Sequence, residues 1–182
     1  IVEVLLPWLK HAHKREATQN ILRLATSLGR RAWGLPRLQA LIGEACLTRS
    51  DWVATAAVGL WLQDPKTRDE RVRQLLDDDI SALYVGPVFL HAHRHRQSWL
   101  EPVLEGRPLR GRFSAGRAVW VPSETSGFER WLPRQQQAME GLLRGLIDDP
   151  NQTSGHRRWA IKALAALPVV ETEEGPMVLL IT

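Results

Sequence analysis

The stretch Asp51–Leu62, DWVATAAVGLWL, decides how this chain is read. Asp51 is a ready N-cap, and Trp52, Val53, Ala54, Ala56, Ala57, Val58, Leu60 and Trp61 make the helix that follows apolar almost all round. A helix of that composition is expected between neighbouring helices rather than in water. Two later segments lie over it without gaps. Asp51, Ala54, Ala57 and Trp61 fall on Asp79, Ala82, Val85 and Phe89, while Ala54, Ala57, Val58 and Trp61 fall on Ala160, Ala163, Leu164 and Leu167. Three imperfect copies of one buried helix predict an all-α fold, an α-solenoid-like stack of antiparallel helix pairs.

Working outward, Leu35–Leu62 reads as one such pair. Pro36 opens its first helix, Leu38, Leu41, Ile42 and Ala45 share a face, and Asp64-Pro65 closes the unit. Upstream, Val2–Lys10 and Lys14–Leu28 read as helical, with Ile21, Leu22, Ala25 and Leu28 in one stripe and Gly29 and Gly34 marking a break. Downstream, Thr67–Leu76 and Ile80–His93 predict a second pair, with Pro87 bending its second helix. Asp77, Asp78 and Asp79 between them read as a helix cap in preference to a metal site. Ser98–Leu104 offers a third first-helix whose partner is delayed by Glu105–Gly127, a Gly- and Pro-rich insertion. Within it Arg112–Val121 alternates weakly, as a short strand or hairpin would. Helical periodicity returns over Phe128–Ile147 and Gly155–Leu167.

The 182 residues fit a single helical-repeat domain. The apolar ends, IVEVLLPWL and PMVLLIT, read as cuts into a longer protein, so covalently linked flanking domains are expected. No run reaches the roughly 18 apolar residues of a membrane span, and no membrane partner is expected. The single Cys, Cys46, excludes an intrachain disulfide framework and sits in an apolar helical pattern, as a small core residue does. It points to a reducing, cytoplasmic setting. Eight Trp read mainly as wedges between layers. The net charge of +4 is modest, and Arg outnumbers Lys, which favours bidentate contacts where the groups cluster.

They cluster in GRPLRGRFSAGR, Gly106–Arg117, which carries Arg107, Arg110, Arg112 and Arg117 and no acid. Gly between Arg residues lets guanidinium and backbone groups follow a phosphate chain or an acidic peptide, and Phe113 can stack or fill an apolar pocket. The plainer reading is a solvated loop neutralised by Glu101, Glu105, Glu124 or Glu129. Trp33, Trp99 and Trp120 lie near helix ends or in the insertion and are expected to be exposed. Arg107, Arg110, Arg112, Phe113, Arg117, Trp120 and Trp99 therefore form the expected partner-binding patch. In HAHRHR, His91 and His95 are the metal candidates, four apart on a helix. Zinc needs a third ligand that no nearby Cys supplies, and Arg94 and Arg96 oppose a cation, so no metal is expected. There is no nucleophile elbow, nucleotide-binding fingerprint or paired-carboxylate spacing. No catalytic residue is assigned, no cofactor is expected, and an enzyme is the less favoured reading.

Arg157, Ala160, Ala163 and Leu164 follow an acidic turn and read Arg-x-x-Ala-x-x-Ala-Leu; Ala54, Ala57 and Val58 repeat the pattern with Asp51 in place of the Arg. In this the chain resembles the HEAT/armadillo-like helical repeats. The copy at Asp79 departs further, with Gly86 where a large apolar residue belongs, and the resemblance does not extend over Glu105–Gly127. It implies a scaffold that binds protein through its exposed surface. The alternative is a nucleic-acid-binding helical-repeat module using the Arg-rich insertion, DNA-repair-like in one branch of the family, although no catalytic residue of that branch matches a position here.

Overall fold

The computed structural model describes residues 15–48, 52–114 and 124–168. Every regular element among them is a helix, so the fold class is all-α. The chain divides into two compact units: residues up to Ala92 together with Pro108–Ala118, and His93–Arg107 together with the residues from Val119 on. Val2–Lys10, the N-cap Asp51 and the predicted strand beyond Ser114 lie outside the described residues.

In the first unit, α1 (Arg15–Leu28) ends in a 3-10 turn, Gly29–Gly34, where Gly29 takes a φ of 53°. Helices α2 (Pro36–Thr48) and α3 (Trp52–Trp61) follow. They pack closely on each other, as the sequence predicts, and also on α1. Ile21, Leu22 and Ala25 of α1, Leu38, Ile42, Ala45 and Cys46 of α2, and Val53, Ala54, Ala57 and Val58 of α3 are buried. Each large aliphatic side chain taken out of water contributes about 1.5–3 kcal/mol. The small residues set the spacing: a Cβ on Gly43 of α2 would lie 3.1 Å from the Trp61 ring of α3. Arg71 braces the same corner, donating to Gln39 Oε1 at 2.8 Å and to the Trp61 carbonyl, with its guanidinium 5.3 Å from the Trp61 ring centroid.

Helix α4 (Arg68–Asp78) buries Val72 and Leu75. The predicted single helix over Ile80–His93 is not formed. Residues Ile80–Tyr84 make a 3-10 turn, Val85 is extended (φ −89°, ψ 118°), and α5 begins afresh at Gly86 and runs to His95. Pro87 is the physical reason. Inside a continuous helix its ring would strike the Leu83 carbonyl and leave a ladder bond unmade, whereas in the first turn of α5 its missing N–H costs nothing. The burial pattern survives the break, since Ala82, Val85 and Phe89 are all buried. Asp79 caps the 3-10 turn by accepting from Ser81 N–H at 2.9 Å.

In the second unit, a 3-10 turn (Gln97–Leu100) leads into α6 (Glu101–Leu104). Phe128–Ile147 is likewise broken: Phe128–Arg130 is a 3-10 turn, Trp131 is extended, and α7 runs Pro133–Asp148 with Pro133 in its first turn. Helix α8 (Ser154–Ala165) buries Ala160 and Ala163 and packs on α7. His93, Phe128 and Trp131 form an edge-to-face cluster with centroids 4.9–5.3 Å apart. His93 Nε2 donates to the Ser126 carbonyl at 2.7 Å, which fixes that nitrogen as the protonated one. Gly127, at φ 94°, lies against the same ring; a Cβ there would be 2.8 Å from His93 Nε2. Arg157 donates to the Asp149 and Pro150 carbonyls at 2.9 Å, tying α8 to the acidic turn before it.

Candidate functional site

The Arg-rich stretch divides where the structure describes it. Arg107 and Arg110 are exposed, and Arg107 reaches Glu105 Oε2 at 2.7 Å. Arg112 turns inward in the first unit. Its guanidinium donates to the Cys46 carbonyl at 3.3 Å, to the Leu47 carbonyl and to the Asp78 carboxylate, and its Nε lies 3.3 Å from Asp79 Oδ2. The acceptors at Cys46 and Leu47 belong to the last turn of α2, where carbonyls lack helical partners and favour a cation. Phe113 is buried, under the Arg112 guanidinium at 5.4 Å. Residues 112–114 form no strand.

The backbone of this segment is held by side chains. Tyr84 Oη accepts from Leu109 N–H at 2.8 Å, Asp79 Oδ2 from Arg112 N–H at 2.7 Å, and Ser81 Oγ from Phe113 N–H at 3.1 Å. Ser81 Oγ in turn donates to Asp79 Oδ1 at 2.7 Å. Burial raises the Asp79 pKa, but the Ser81 hydroxyl, the Arg112 and Ser81 N–H groups and the Arg112 side chain together outweigh it, and the carboxyl stays below the usual aspartate value. Gly111 packs so closely that an added Cβ would overlap the Asp79 carboxylate and Ser81 Oγ.

The first unit also carries an open groove. Leu22, Gln19, Arg23, Thr26 and Ser27 of α1 face Trp52, Ala56 and Leu60 of α3 across a groove of about 570 Å³. Trp52 is 54% exposed at its rim. Thr26 Oγ1 donates to the Leu22 carbonyl at 2.8 Å and Ser27 Oγ to the Arg23 carbonyl at 3.0 Å, so both hydroxyls serve their own helix. Arg23 is the titratable side chain lining the groove. Apolar walls, one cation and occupied hydroxyls suit recognition better than acid–base or nucleophilic chemistry.

Of the other residues singled out from sequence, Trp99 is half-buried beside Arg96, at 5.9 Å, and Trp33 is half-buried beside Arg30. Arg117 and Trp120 lie outside the described residues. His91 Nε2 meets Asp69 Oδ1 at 3.0 Å, and His95 is exposed at the end of α5. Among the described residues no three His, Cys, Asp or Glu side chains are grouped to hold a metal ion, and no helix is long and apolar enough to cross a membrane. The tryptophans most open to solvent among the described residues are Trp52 and Trp159, neither expected from sequence. Comparison with family models, curated proteins and solved structures gives no match to this chain.

Proposed function

We propose that this chain is a non-enzymatic protein-interaction module built from HEAT-like repeats, and that the α1–α3 groove takes an amphipathic helix from a protein partner. The observation that carries the reading is the groove itself, an apolar trough edged by a solvent-exposed Trp52. A helix laid there places apolar side chains at i, i+3 and i+4 against Leu22, Ala56 and Leu60, and an acidic one opposite Arg23. Charge selects that occupant, because the cation of the lining has no acid beside it within the lining. The repeat architecture draws support from the small-residue face of α3 seated on α1 and α2, and from Arg157 bonded to the turn that precedes its own helix.

The test uses labelled amphipathic helical peptides, acidic and basic, and a duplex DNA, titrated by fluorescence anisotropy. Acidic peptides are expected to bind. Trp52→Ala should weaken them about tenfold, through loss of the large aromatic contact at the edge of the groove. Arg23→Glu should shift preference to the basic peptides. Peptide binding that ignores both substitutions overturns the groove. Binding to DNA alone, with a steep salt slope lost on replacing Arg107 and Arg110, transfers the function to the nucleic-acid reading.

A further inference from the structure

We infer that the second unit carries a docking face of its own, the outer ridge of α8, and that its occupant is an acidic amphipathic helix of a protein partner. The face shares no residue with the α1–α3 groove and stands or falls independently of it.

The register that lays Ala54 on Ala160 also lays Trp52, Val53, Ala56 and Leu60 of α3 on Arg158, Trp159, Lys162 and Ala166. Ala54 and Ala57 are fully buried, and so are Ala160 and Ala163, so the inner faces of the two helices correspond. Their outer faces differ. Helix α3 packs on α2 and also on α1, which runs beside its Trp52, Ala56 and Leu60. Among the described helices, α8 packs closely on α7 alone. The place that α1 takes beside α3 is therefore open beside α8. Trp159 is 47% exposed where its counterpart Val53 is fully buried, and Ile161 is 52% exposed. Two large apolar side chains left in water on one short helix mark a contact surface.

Charge and shape choose the occupant. Helix α8 holds His156, Arg157, Arg158 and Lys162 and no acid. Arg157 is committed to the Asp149 and Pro150 carbonyls. Arg158 and Lys162 lie one turn apart on the ridge, both exposed, and neither forms an ion pair with a described residue. Lys162 Nζ lies 5.1 Å from the Trp159 ring centroid, so cation and aromatic surface are presented together. At 3.6 residues per turn, Trp159 and Ile161 flank the cations about 160° apart around the helix. A bilayer surface resting on the cations would leave both apolar flanks turned aside. Duplex phosphates would neutralise the cations and leave the flanks in water. A helix packed along the ridge satisfies both. It sets Glu or Asp at i and i+4 opposite Arg158 and Lys162, and apolar residues on either side against Trp159 and Ile161.

The test uses the full chain carrying Arg23→Glu and Trp52→Ala, so that the α1–α3 groove contributes nothing. The probes are a labelled helical peptide with Glu at i and i+4 and Leu on both flanks, its counterpart with Lys in place of Glu, and a duplex DNA, read by fluorescence anisotropy. The acidic peptide should bind. Trp159→Ala should weaken it about fivefold to tenfold. Arg158→Glu with Lys162→Glu should abolish it and create binding of the basic peptide. These side chains are exposed, so the variants keep the Ala160 and Ala163 packing, which circular dichroism checks. Arg158→Gln with Lys162→Gln is the milder pair and should cost the acidic peptide about tenfold. No binding of the acidic peptide, or binding indifferent to these substitutions, overturns the face. Three further outcomes also overturn the partner helix. Binding of DNA alone gives the ridge to nucleic acid. A sedimenting mass that doubles with concentration, and is restored by Arg158→Glu with Lys162→Glu, gives it to a second copy. Peptide binding that appears only after Glu171, Glu173 and Glu174 are changed to Gln gives it to the chain's own acidic run.

Discussion

Arg112 shows what a residue type reveals in isolation and what it hides. Its charge and its Gly neighbours are visible in the sequence, but its acceptors are not. Two are helix-end carbonyls, at Cys46 and Leu47, which no side-chain pattern marks. A patch drawn from composition therefore mixes Arg107 and Arg110, which face solvent, with Arg112, which does not. Asp79 was legible as a cap, because an acid two residues before Ser81 satisfies its free N–H, yet its second role toward Arg112 depends on a residue far along the chain. Since its pKa is lowered on folding, Asp79 contributes stability above the usual aspartate range, near pH 4, and loses it as pH falls through the lower folded value. Urea unfolding between pH 7 and pH 3 should show that acid loss, and Asp79→Asn should flatten it while lowering stability at pH 7. Cys46 makes a simpler case. Burial pushes its thiol up to about 12, against weaker pulls from Arg71 and Arg112. A thiol reagent at pH 8 should leave it untouched in the folded chain and label it on unfolding in urea.

At the level of helices, apolar spacing located nearly all of them and proline decided where three of them begin. Pro36 and Pro133 each stand in a first turn, and both helices start there. Pro87 obeys the same rule, so the chain abandons the helix over Ile80–Tyr84 and begins another, keeping the buried positions but not the backbone that the spacing implied. The exposed side of α3 was hidden for the opposite reason. A helix apolar all round carries no period that says which face is open, and Trp52 reads the same as Trp61, although one is 54% exposed and the other 7%. Gly141 and Gly145 sit inside α7 with nothing within 4 Å of an added Cβ. Changing each to Ala should stabilise the chain by about 0.4–1 kcal/mol and raise the melting temperature by a few degrees, measured by thermal circular dichroism. Gly127→Ala should do the reverse, since its φ of 94° and the His93 ring both oppose a side chain.

For the molecule as a whole, the division into units was not legible, because it follows no linker. The first unit is assembled from two stretches of chain, with part of the second between them. Phe113 belongs to the core of the first unit although it comes from a short return stretch, Pro108–Ala118, far along the chain from the rest of that unit. Phe113→Ala should therefore cost about 3–5 kcal/mol, seen as a lower urea midpoint for the whole unit by Trp fluorescence, not as local loosening of a loop. The same arrangement sets an order of events during synthesis. Asp79, Ser81 and Tyr84 leave the ribosome before the segment that satisfies them, so this unit cannot finish folding until translation has moved past Ser114, and a stall between the two stretches strands a nascent chain with its acceptors open to any passing competitor.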